Sequence, residues 1–325
     1  MQNNDFLLKR AKRKYINTPI ISALVDLKSS LSSRYLLTST CAGLLTVSDN
    51  KIKSRYCKRL WCAVCNPIKT AIRLNSYSKQ LEAIPDLQFT TLTLPNVYGS
   101  DIKKTFQHFT LVLRQFRNSY NKVHNMPFIG VYNFEVTLNL QTKKFHPHVH
   151  ILHSYIEVET SKDDKDVNSL ILYWLNKTKT AKLAAQDTRP CTDLIEGFKY
   201  ATKTQFYSMV DGKRCYKVPA KMLDTLYQQL KSVRMFNSFG IKSAKNENDI
   251  NAAMDQLEAY TTDATPGDYI WKLNDWFLTI ATNEDGEAVP NFSPGSLHHL
   301  LPLTNYIPNS QTKKMYEDLC TNQNG

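Results

Sequence analysis

Three histidines recur at every second position of the segment from Phe145 to His153, namely His146, His148 and His150. Because successive side chains of a β-strand point to opposite faces, a strand here would place all three imidazoles on one face. Neutral imidazole is a common metal ligand, so this spacing favours a metal site. Ordinary surface strands also carry histidine pairs, so the interpretation depends on the neighbouring segments.

A carboxylate is expected beside these imidazoles. Residues 129–139 alternate between polar and apolar side chains as a strand does, and residues 141–144 are typical of a hairpin turn that leads into the histidine strand. Cross-strand neighbours lie within about 5 Å of each other at their β-carbons. Glu135 could therefore share one metal ion with His148 and His150.

The ligand types restrict the choice of metal. Two imidazoles and a carboxylate leave coordination positions open for phosphate oxygens, which suits Mn²⁺ or Mg²⁺ acting as a Lewis acid. The same three ligands can hold Fe²⁺ in an oxygenase. His146 is a further candidate ligand, but Pro147 cannot donate a ladder hydrogen bond and predicts an edge, a strand start or a bulge beside it. His153 would point to the opposite face, where a structural role is favoured.

Four of the seven cysteines lie in one N-terminal segment: Cys41, Cys57, Cys62 and Cys65. The N-terminus carries no apolar stretch of the signal-peptide type, so clustered cysteines indicate metal rather than disulfides. The pattern Cys57-x4-Cys62-x2-Cys65 is typical of a closed, structural Zn²⁺ site.

Basic and aromatic side chains surround the cysteines. The cations are Arg55, Lys58 and Arg59, and the aromatic residues are Tyr56 and Trp61. This mixture could bind DNA through phosphate contacts and base stacking. A structural zinc knuckle with a solvated basic rim has the same composition.

A second constellation lies in residues 193–207, which we predict to be a helix. Glu196, Tyr200 and Lys203 would share one face of it. A phenolate is both a nucleophile and a good leaving group, so a tyrosine can cut a phosphodiester reversibly. Lys203 could stabilise the phenolate or bind the phosphate, while Lys199 projects elsewhere and would meet DNA backbone or solvent. An ordinary amphipathic helix with an ion pair shows the same spacing.

The elements that must position these residues follow a regular order. Period-two and period-3.6 patterns alternate along the chain. We predict a strand at 86–94, a helix at 100–122, strands at 129–139 and 145–153, a helix at 166–183, a strand at 188–191 and the helix at 193–207. This order is that of the split βαβ, ferredoxin-like arrangement, an α+β fold with an antiparallel sheet and helices packed on one face.

Composition limits the partners. The chain of 325 residues has 41 basic and 29 acidic residues, a net charge of +12, which favours a polyanion such as nucleic acid. Residues 213–242 carry several of the cations, among them Arg214, and could form a DNA-binding surface beside the active site; part of this segment could equally be the exposed face of a helix at 220–233. No apolar run approaches the roughly 18 residues that span a bilayer, so we expect a cytoplasmic protein with no membrane partner. No Gly-x4-Gly-Lys-Ser/Thr loop is present, so unwinding would come from a partner.

The chain is expected to have four parts. Residues 1–33 form a basic N-terminal segment, residues 34–75 a cysteine-rich zinc-binding unit, residues 80–244 the catalytic domain and residues 245–325 a C-terminal accessory region. Trp271 and Trp276 indicate that some of the accessory region folds.

Three motifs in this order resemble a known family. The run His-Pro-His-Val-His, the segment Phe89-Thr90-Thr91-Leu92-Thr93-Leu94-Pro95-Asn96 and the segment from Glu196 to Lys203 are similar to the motifs of HUH endonucleases. More narrowly, they resemble the plasmid initiators of rolling-circle replication, over about residues 38–243. The cysteine unit is also similar to the N-terminal pattern of that family.

The resemblance implies a function and several residue roles. Such proteins adopt the HUH endonuclease fold and nick one strand of a single-stranded or hairpin DNA origin. A tyrosine, here Tyr200, attacks the phosphate and stays joined to the 5′ end, and the free 3′-hydroxyl primes replication. The resemblance also implies Cys41 as the fourth zinc ligand and a host helicase and polymerase as partners. It suggests Glu196 as an activator of water at termination, a step that another tyrosine such as Tyr207 or a second subunit could perform instead.

Other functions fit parts of the same pattern. A transposase or phage initiator would use the same chemistry. A zinc-containing nucleic-acid-binding protein without catalysis would need the cysteines and the basic residues but not Tyr200. An oxygenase would use the two histidines and Glu135 but would need neither Tyr200 nor the excess of positive charge.

Overall fold

The computed structural model describes residues 5–48, 51–124, 127–139, 141–156, 158–160, 166–194, 208–210, 213–215, 219–243, 267–272, 275–282 and 288–290. The helices of these residues are α1 (Asp5–Asp26), α2 (Ser32–Ser39), α3 (Cys65–Glu82), α4 (Ile102–His124), α5 (Ser169–Thr178) and α6 (Ala220–Leu230). Two short 3₁₀ helices lie at Gly99–Asp101 and Leu183–Ala185.

The strands are β1 (Leu44–Ser48), β2 (Lys51–Ser54), β3 (Gln88–Thr93), β4 (Gly130–Asn139), β5 (Lys144–His153), β6 (Val158–Thr160), β7 (Asp166–Asn168), β8 (Asp187–Pro190), β9 (Ser208–Val210), β10 (Lys213–Cys215), β11 (Phe236–Phe239), β12 (Gly267–Lys272), β13 (Asp275–Thr282) and β14 (Ala288–Pro290). The fold is therefore α+β, with antiparallel sheets and packed helices. No helix in the described part of the chain combines the length and apolar character that a bilayer crossing requires.

The chain divides into two compact units. The first comprises Met1–Lys69, Cys215–Asp224 and Asn246–Gly325, and the second comprises Thr70–Arg214 and Thr225–Lys245. The contacts thus group the N-terminal helix, the cysteine segment and C-terminal residues that sequence analysis treats as separate parts.

The first unit contains a five-stranded sheet in the order β14-β13-β12-β1-β2. Its neighbouring strands are antiparallel, and β12 pairs with β1 so that Tyr269 lies opposite Leu45. Trp276 is buried and donates its indole N–H to the carbonyl oxygen of Ala42 at 3.1 Å. The described C-terminal strands therefore complete the sheet that begins beside the cysteines.

The second unit contains an antiparallel sheet in the order β11-β4-β5-β3-β8. The strands β3, β4, β5 and β8, together with α4 and α5, follow the predicted split βαβ order, and their arrangement β4-β5-β3-β8 is the one that this topology produces. The helix predicted at 166–183 is shorter, because Asn168 ends β7 and caps α5 by accepting the N–H of Ile171.

Helices cover both faces of this sheet. On one face α4 buries the predicted apolar stripe, and its Phe106 stacks on Phe134 of β4 at 4.5 Å between ring centroids. On the histidine face, α3 contributes Tyr77 and Leu81 to a cluster with Phe89 of β3. The expectation that helices pack on one face is therefore incomplete, because α3 packs on the histidine face as well.

Pro147 lies inside β5, where it is paired with Val136 of β4. Its carbonyl oxygen accepts the N–H of Leu94, just beyond the end of β3. In a strand the N and O atoms of one residue point to the same side, so the missing N–H faces the point where β3 leaves the ladder. The pairing then shifts, because Val97 and not Asn96 bridges to Phe145. The irregularity that Pro147 predicts therefore lies in the segment that follows β3, next to β5, and not in β5 itself.

Candidate metal centres

The hairpin of β4 and β5 brings Glu135, His148 and His150 together. Glu135 lies directly opposite His148 in the register, and Asn133 lies opposite His150. The Oε2 atom of Glu135 is 3.0 Å from Nε2 of His148 and 2.7 Å from Nε2 of His150. All three residues are buried, and their ligand atoms lie within 4.8 Å of one another.

Hydrogen bonds behind the imidazoles fix their orientation. Nδ1 of His148 lies 3.3 Å from the carbonyl oxygen of His146, and since a carbonyl can only accept, this nitrogen carries the proton. Nδ1 of His150 lies 3.0 Å from Oγ1 of Thr91. Each Nε2 atom is thereby directed at the carboxylate, which is the arrangement of a metal-binding imidazole with an outer hydrogen-bond partner.

The charge state of Glu135 suits a cation. Burial opposes its ionisation, but when Nε2 of His148 and of His150 also carries a proton, the hydrogen bonds that they donate outweigh burial and hold the pKa of Glu135 at about 2. A bound cation would take the place of those two protons. At neutral pH a carboxylate and two inward-facing nitrogen atoms converge on one small space. The residues therefore fit a divalent cation with positions left for other ligands.

His146 does not join this group. Its Nδ1 atom lies 3.0 Å from Oδ1 of Asn96, and its ring centroid is 5.6 Å from that of His148. Burial, together with the neighbouring His148, lowers the pKa of His146. His153 points to the opposite face as expected, where it is fully buried and bonded to Oγ1 of Thr90 at 2.7 Å.

The predicted helix with the tyrosine lies outside the described residues. This applies to Glu196, Lys199, Tyr200 and Lys203, and the side chain of Arg214 is also not described. The segment that leads to them is described up to Leu194. Leu194 packs against the apolar cluster of the histidine face.

The four cysteines of the first unit form a second cluster. Sγ of Cys41 is 3.4 Å from Sγ of Cys65 and 3.6 Å from Sγ of Cys62, and Sγ of Cys57 is 3.7 Å from Sγ of Cys65. Thiolates about 2.3 Å from a tetrahedral Zn²⁺ would be separated by about 3.8 Å. The four sulfur atoms therefore fit one zinc ion, with Cys41 as the fourth ligand.

Side chains of α1 surround this cluster. Asn17 donates its amide N–H to Sγ of Cys62 at 3.3 Å, and Nζ of Lys14 donates to the carbonyl oxygen of Cys41 at 2.5 Å. Arg10, also buried, donates to the hydroxyl of Tyr56 at 2.7 Å. Two buried cations beside four sulfur atoms suit an anionic metal–thiolate centre, because a buried charge needs a compensating charge.

Sequence reasoning missed these three residues of α1. Their spacing was the available signal, since positions 10, 14 and 17 share one face of a helix. The role of the nearby aromatic residues also needs correction. Tyr56 and Trp61 are buried, so neither offers a face for base stacking. Trp61 instead donates its indole N–H to Oγ1 of Thr38 at 2.9 Å.

Comparison with known proteins finds a similarity to a protein named Protein rep. The chain is similar to Protein rep of Streptococcus pneumoniae serotype 2 (strain D39 / NCTC 7466), with 30% identity over 174 residues. The match covers 46% of this chain and 53% of that protein, so the chain spans about half the length of the curated relative it matches. No family model and no solved structure matches the chain.

Proposed function

We propose that this protein is a replication initiator that nicks one strand of a plasmid-type DNA origin by the HUH mechanism. The observation that carries the proposal is the convergence of Glu135, His148 and His150 on one buried point of the sheet. The similarity to a Rep protein supports the biological role. The net charge of +12 supports a nucleic-acid substrate.

In this proposal the three residues hold Mn²⁺ or Mg²⁺ through Glu135 Oε2 and the two Nε2 atoms. The bound ion would supply Lewis-acid polarisation of the scissile phosphate. The hydrogen bond between His150 and Thr91, and the one that His148 donates to the carbonyl oxygen of His146, keep both rings in the ligating orientation.

Tyr200 is the proposed nucleophile. Its phenolate oxygen forms a bond to phosphorus while the bond from phosphorus to the 3′ oxygen breaks, so the products are a 5′-phosphotyrosine and a 3′-hydroxyl. Attack by a 3′-hydroxyl reverses the step and rejoins strands. Lys203 would stabilise the phenolate, and Glu196 would activate water at termination. The described chain lies against the histidine face at Leu194, six residues before Tyr200.

The first unit would serve DNA binding, with a structural Zn²⁺ held by the four cysteines. Arg55, Lys58 and Arg59, together with Lys199 and Arg214, are the proposed phosphate contacts. A host helicase would unwind the duplex, and a host polymerase would extend the 3′-hydroxyl of the nicked strand. The same chemistry in a transposase or phage initiator differs in the DNA that is cut, which the choice of origin in the experiment addresses.

The test is covalent trapping. The protein is incubated with labelled single-stranded DNA that carries candidate origins, with added Mn²⁺, and the products are separated under denaturing conditions. We expect an adduct that Tyr200→Phe and the double variant His148→Ala/His150→Ala abolish. Tyr155→Phe and His124→Ala are the matched controls, and both should form the adduct as the unmodified protein does.

Two outcomes would contradict the mechanism. Cleavage without an adduct would favour attack by water and remove Tyr200 from the chemistry. Binding without cleavage on every origin tested would favour the second candidate, a non-catalytic zinc-containing nucleic-acid-binding protein, which the four-cysteine cluster supports by itself.

A further inference from the structure

A wide groove lies in the first unit beside the cysteine cluster. It has a volume of about 1000 Å³. Its lining comes from the paired strands β1 and β2, from the residues after β2 up to Lys58, and from the chain between Leu37 of α2 and Gly43. The groove is separate from the Glu135 centre, which belongs to the other unit.

The charge of the groove has one sign. Its lining includes Lys53, Arg55 and Lys58 and contains no carboxylate among the described residues. Lys53 and Arg55 are exposed and two positions apart on an extended chain, so their Cα atoms lie about 6.7 Å apart along it. Two cations at this separation on one side of a groove can contact successive phosphates of a single strand.

Hydrogen bonds fix the backbone that carries these cations. Ala42 donates its N–H to the carbonyl oxygen of Arg55 at 2.9 Å. Lys58 has a left-handed conformation with φ of 58°, and its N–H donates to Sγ of Cys65 at 3.3 Å. The groove wall is therefore ordered by the sheet and by the cysteine cluster before any ligand arrives.

Part of the lining is apolar and exposed. Leu37 and Leu44 line the groove and are 55% and 53% exposed. Duplex DNA stacks its bases inside the helix, whereas a single strand also offers the faces of unpaired bases. A polyanion with apolar flat groups matches both the cations and the leucines of the groove, so single-stranded DNA is the favoured occupant.

We propose that this groove is a second DNA-binding site, which holds single-stranded DNA of the origin through the cations Lys53 and Arg55 and the apolar side chains of Leu37 and Leu44. This inference rests on the proposed function, because it takes the origin strand as the ligand. The site supplies affinity and register and takes no part in bond cleavage.

The test measures binding of the full zinc-loaded chain to a fluorescein-labelled 20-nucleotide single strand by fluorescence anisotropy, from 50 to 200 mM NaCl. Each phosphate contact to a single strand contributes about 0.7 to the slope of log K against log salt. Lys53→Ser/Arg55→Ser should lower that slope by about 1.4 and weaken binding at least tenfold at the lowest salt. Lys104→Ser/Lys122→Ser, which removes two exposed cations of α4, is the matched control and should leave the slope unchanged.

The double variant Leu37→Ser/Leu44→Ser tests the two exposed leucines of the groove. It should weaken binding of the single strand severalfold with no change in salt slope, and it should leave duplex binding as it was. The proposal is overturned if the groove variants bind the strand as the control does. It is also overturned if they lose binding to vesicles of anionic lipid and keep binding to DNA, since the groove would then recognise a membrane surface.

The proposal that the groove binds DNA can be tested independently of the nicking mechanism, because fluorescence anisotropy requires no cleavage. Groove-dependent binding without any covalent adduct would reject the nicking function and keep the groove. An adduct with groove-independent binding would do the reverse. Zinc content of each variant is measured so that loss of the metal is not mistaken for loss of a contact.

Discussion

The two candidate metal centres differ in what holds them. Glu135, His148 and His150 come from two paired strands, and the sheet beneath them has its own apolar layer with α4 and α5. The cysteine cluster joins residues 41 to 65, and its neighbours come from α1 and from C-terminal strands more than 200 residues away. We infer that the sheet which carries the Glu135 centre folds without metal, whereas the cysteine centre is itself part of the structure that holds the first unit together.

The largest expected effect follows from this difference. Cys65→Ser should destabilise the first unit by more than about 5 kcal/mol, because metal binding at a structural site contributes directly to folding free energy. His150→Ala should change the stability of the second unit by less than about 2 kcal/mol. Thermal unfolding and limited proteolysis of both variants, with zinc content measured by mass spectrometry, check the pair.

Cys191→Ser is the control for loss of a thiol outside the cluster, and we expect zinc content and protease resistance to stay as in the unmodified protein. If Cys65→Ser kept α1 and the C-terminal strands protected from protease, the first unit would fold without an intact cysteine cluster. The contrast between the two centres would then disappear.

Acidification provides the next largest effect, and it acts on the sheet of the second unit. Burial lowers the pKa of His153 to about 4, against about 6.5 in an unfolded chain. The unfolded chain therefore takes up this proton first. The stability from neutral His153 is complete above pH 6.5 and is lost as the pH falls from about 6.5 to about 4, with a total of about 3 kcal/mol.

Hydrogen exchange of peptides from β3 and β5, corrected for intrinsic rates, measures this loss locally at pH 7, 5.5 and 4.5. His153→Gln should be less stable at pH 7 and should lose less stability than the unmodified protein over that interval. Equal losses in the two proteins would show that another group controls the sheet, and His124→Gln is the control for a histidine outside it.

Lys14 tests whether α1 belongs to the cysteine centre. Replacing a group that surrounds a metal site typically costs 10- to 100-fold in metal affinity. Lys14→Met keeps most of the apolar chain and removes the charge, so we expect zinc affinity, measured by competition with a chromogenic chelator, to fall by about that factor. Lys104→Met, an exposed lysine of α4, should leave the affinity unchanged.

An unchanged affinity of Lys14→Met would mean that the thiolates do not need the charge of Lys14 while Arg10 remains. Cobalt substitution adds a second readout, since the thiolate-to-cobalt absorption reports whether four sulfur ligands remain. Retention of the four-sulfur spectrum with weaker binding would assign Lys14 to charge compensation. A three-sulfur spectrum would assign it to the placement of Cys41.

The same contrast explains how much the sequence could predict. The face shared by Glu135, His148 and His150 follows from period-two alternation and one hairpin, which are local rules. The spacing of Cys57, Cys62 and Cys65 is also local. The burial of Lys14 and the pairing of β12 with β1 depend on contacts across most of the chain, and no short-range pattern encodes them.

The smallest expected effect concerns Thr91, which lies in the segment that resembles the first family motif. Its Oγ1 atom lies 3.0 Å from Nδ1 of His150 and would accept the proton of that nitrogen when Nε2 binds a metal. Thr91→Val keeps the shape of the side chain and removes the acceptor. Since one such hydrogen bond contributes about 1 kcal/mol, we expect Mn²⁺ affinity to fall about fivefold.

Titration of the zinc-loaded protein with Mn²⁺, followed by electron paramagnetic resonance of the free ion, measures this change. Thr91→Ser should retain nearly full affinity because the hydroxyl remains, and Thr178→Val, which removes a hydroxyl from α5, is the matched control. If Thr91→Val bound Mn²⁺ as tightly as the unmodified protein, the ring of His150 would be held by its stacking on Phe89 instead, where the centroids are 5.4 Å apart. The sheet that carries the histidines would then position His150 by packing alone, which would sharpen the contrast with the hydrogen-bonded cysteine centre.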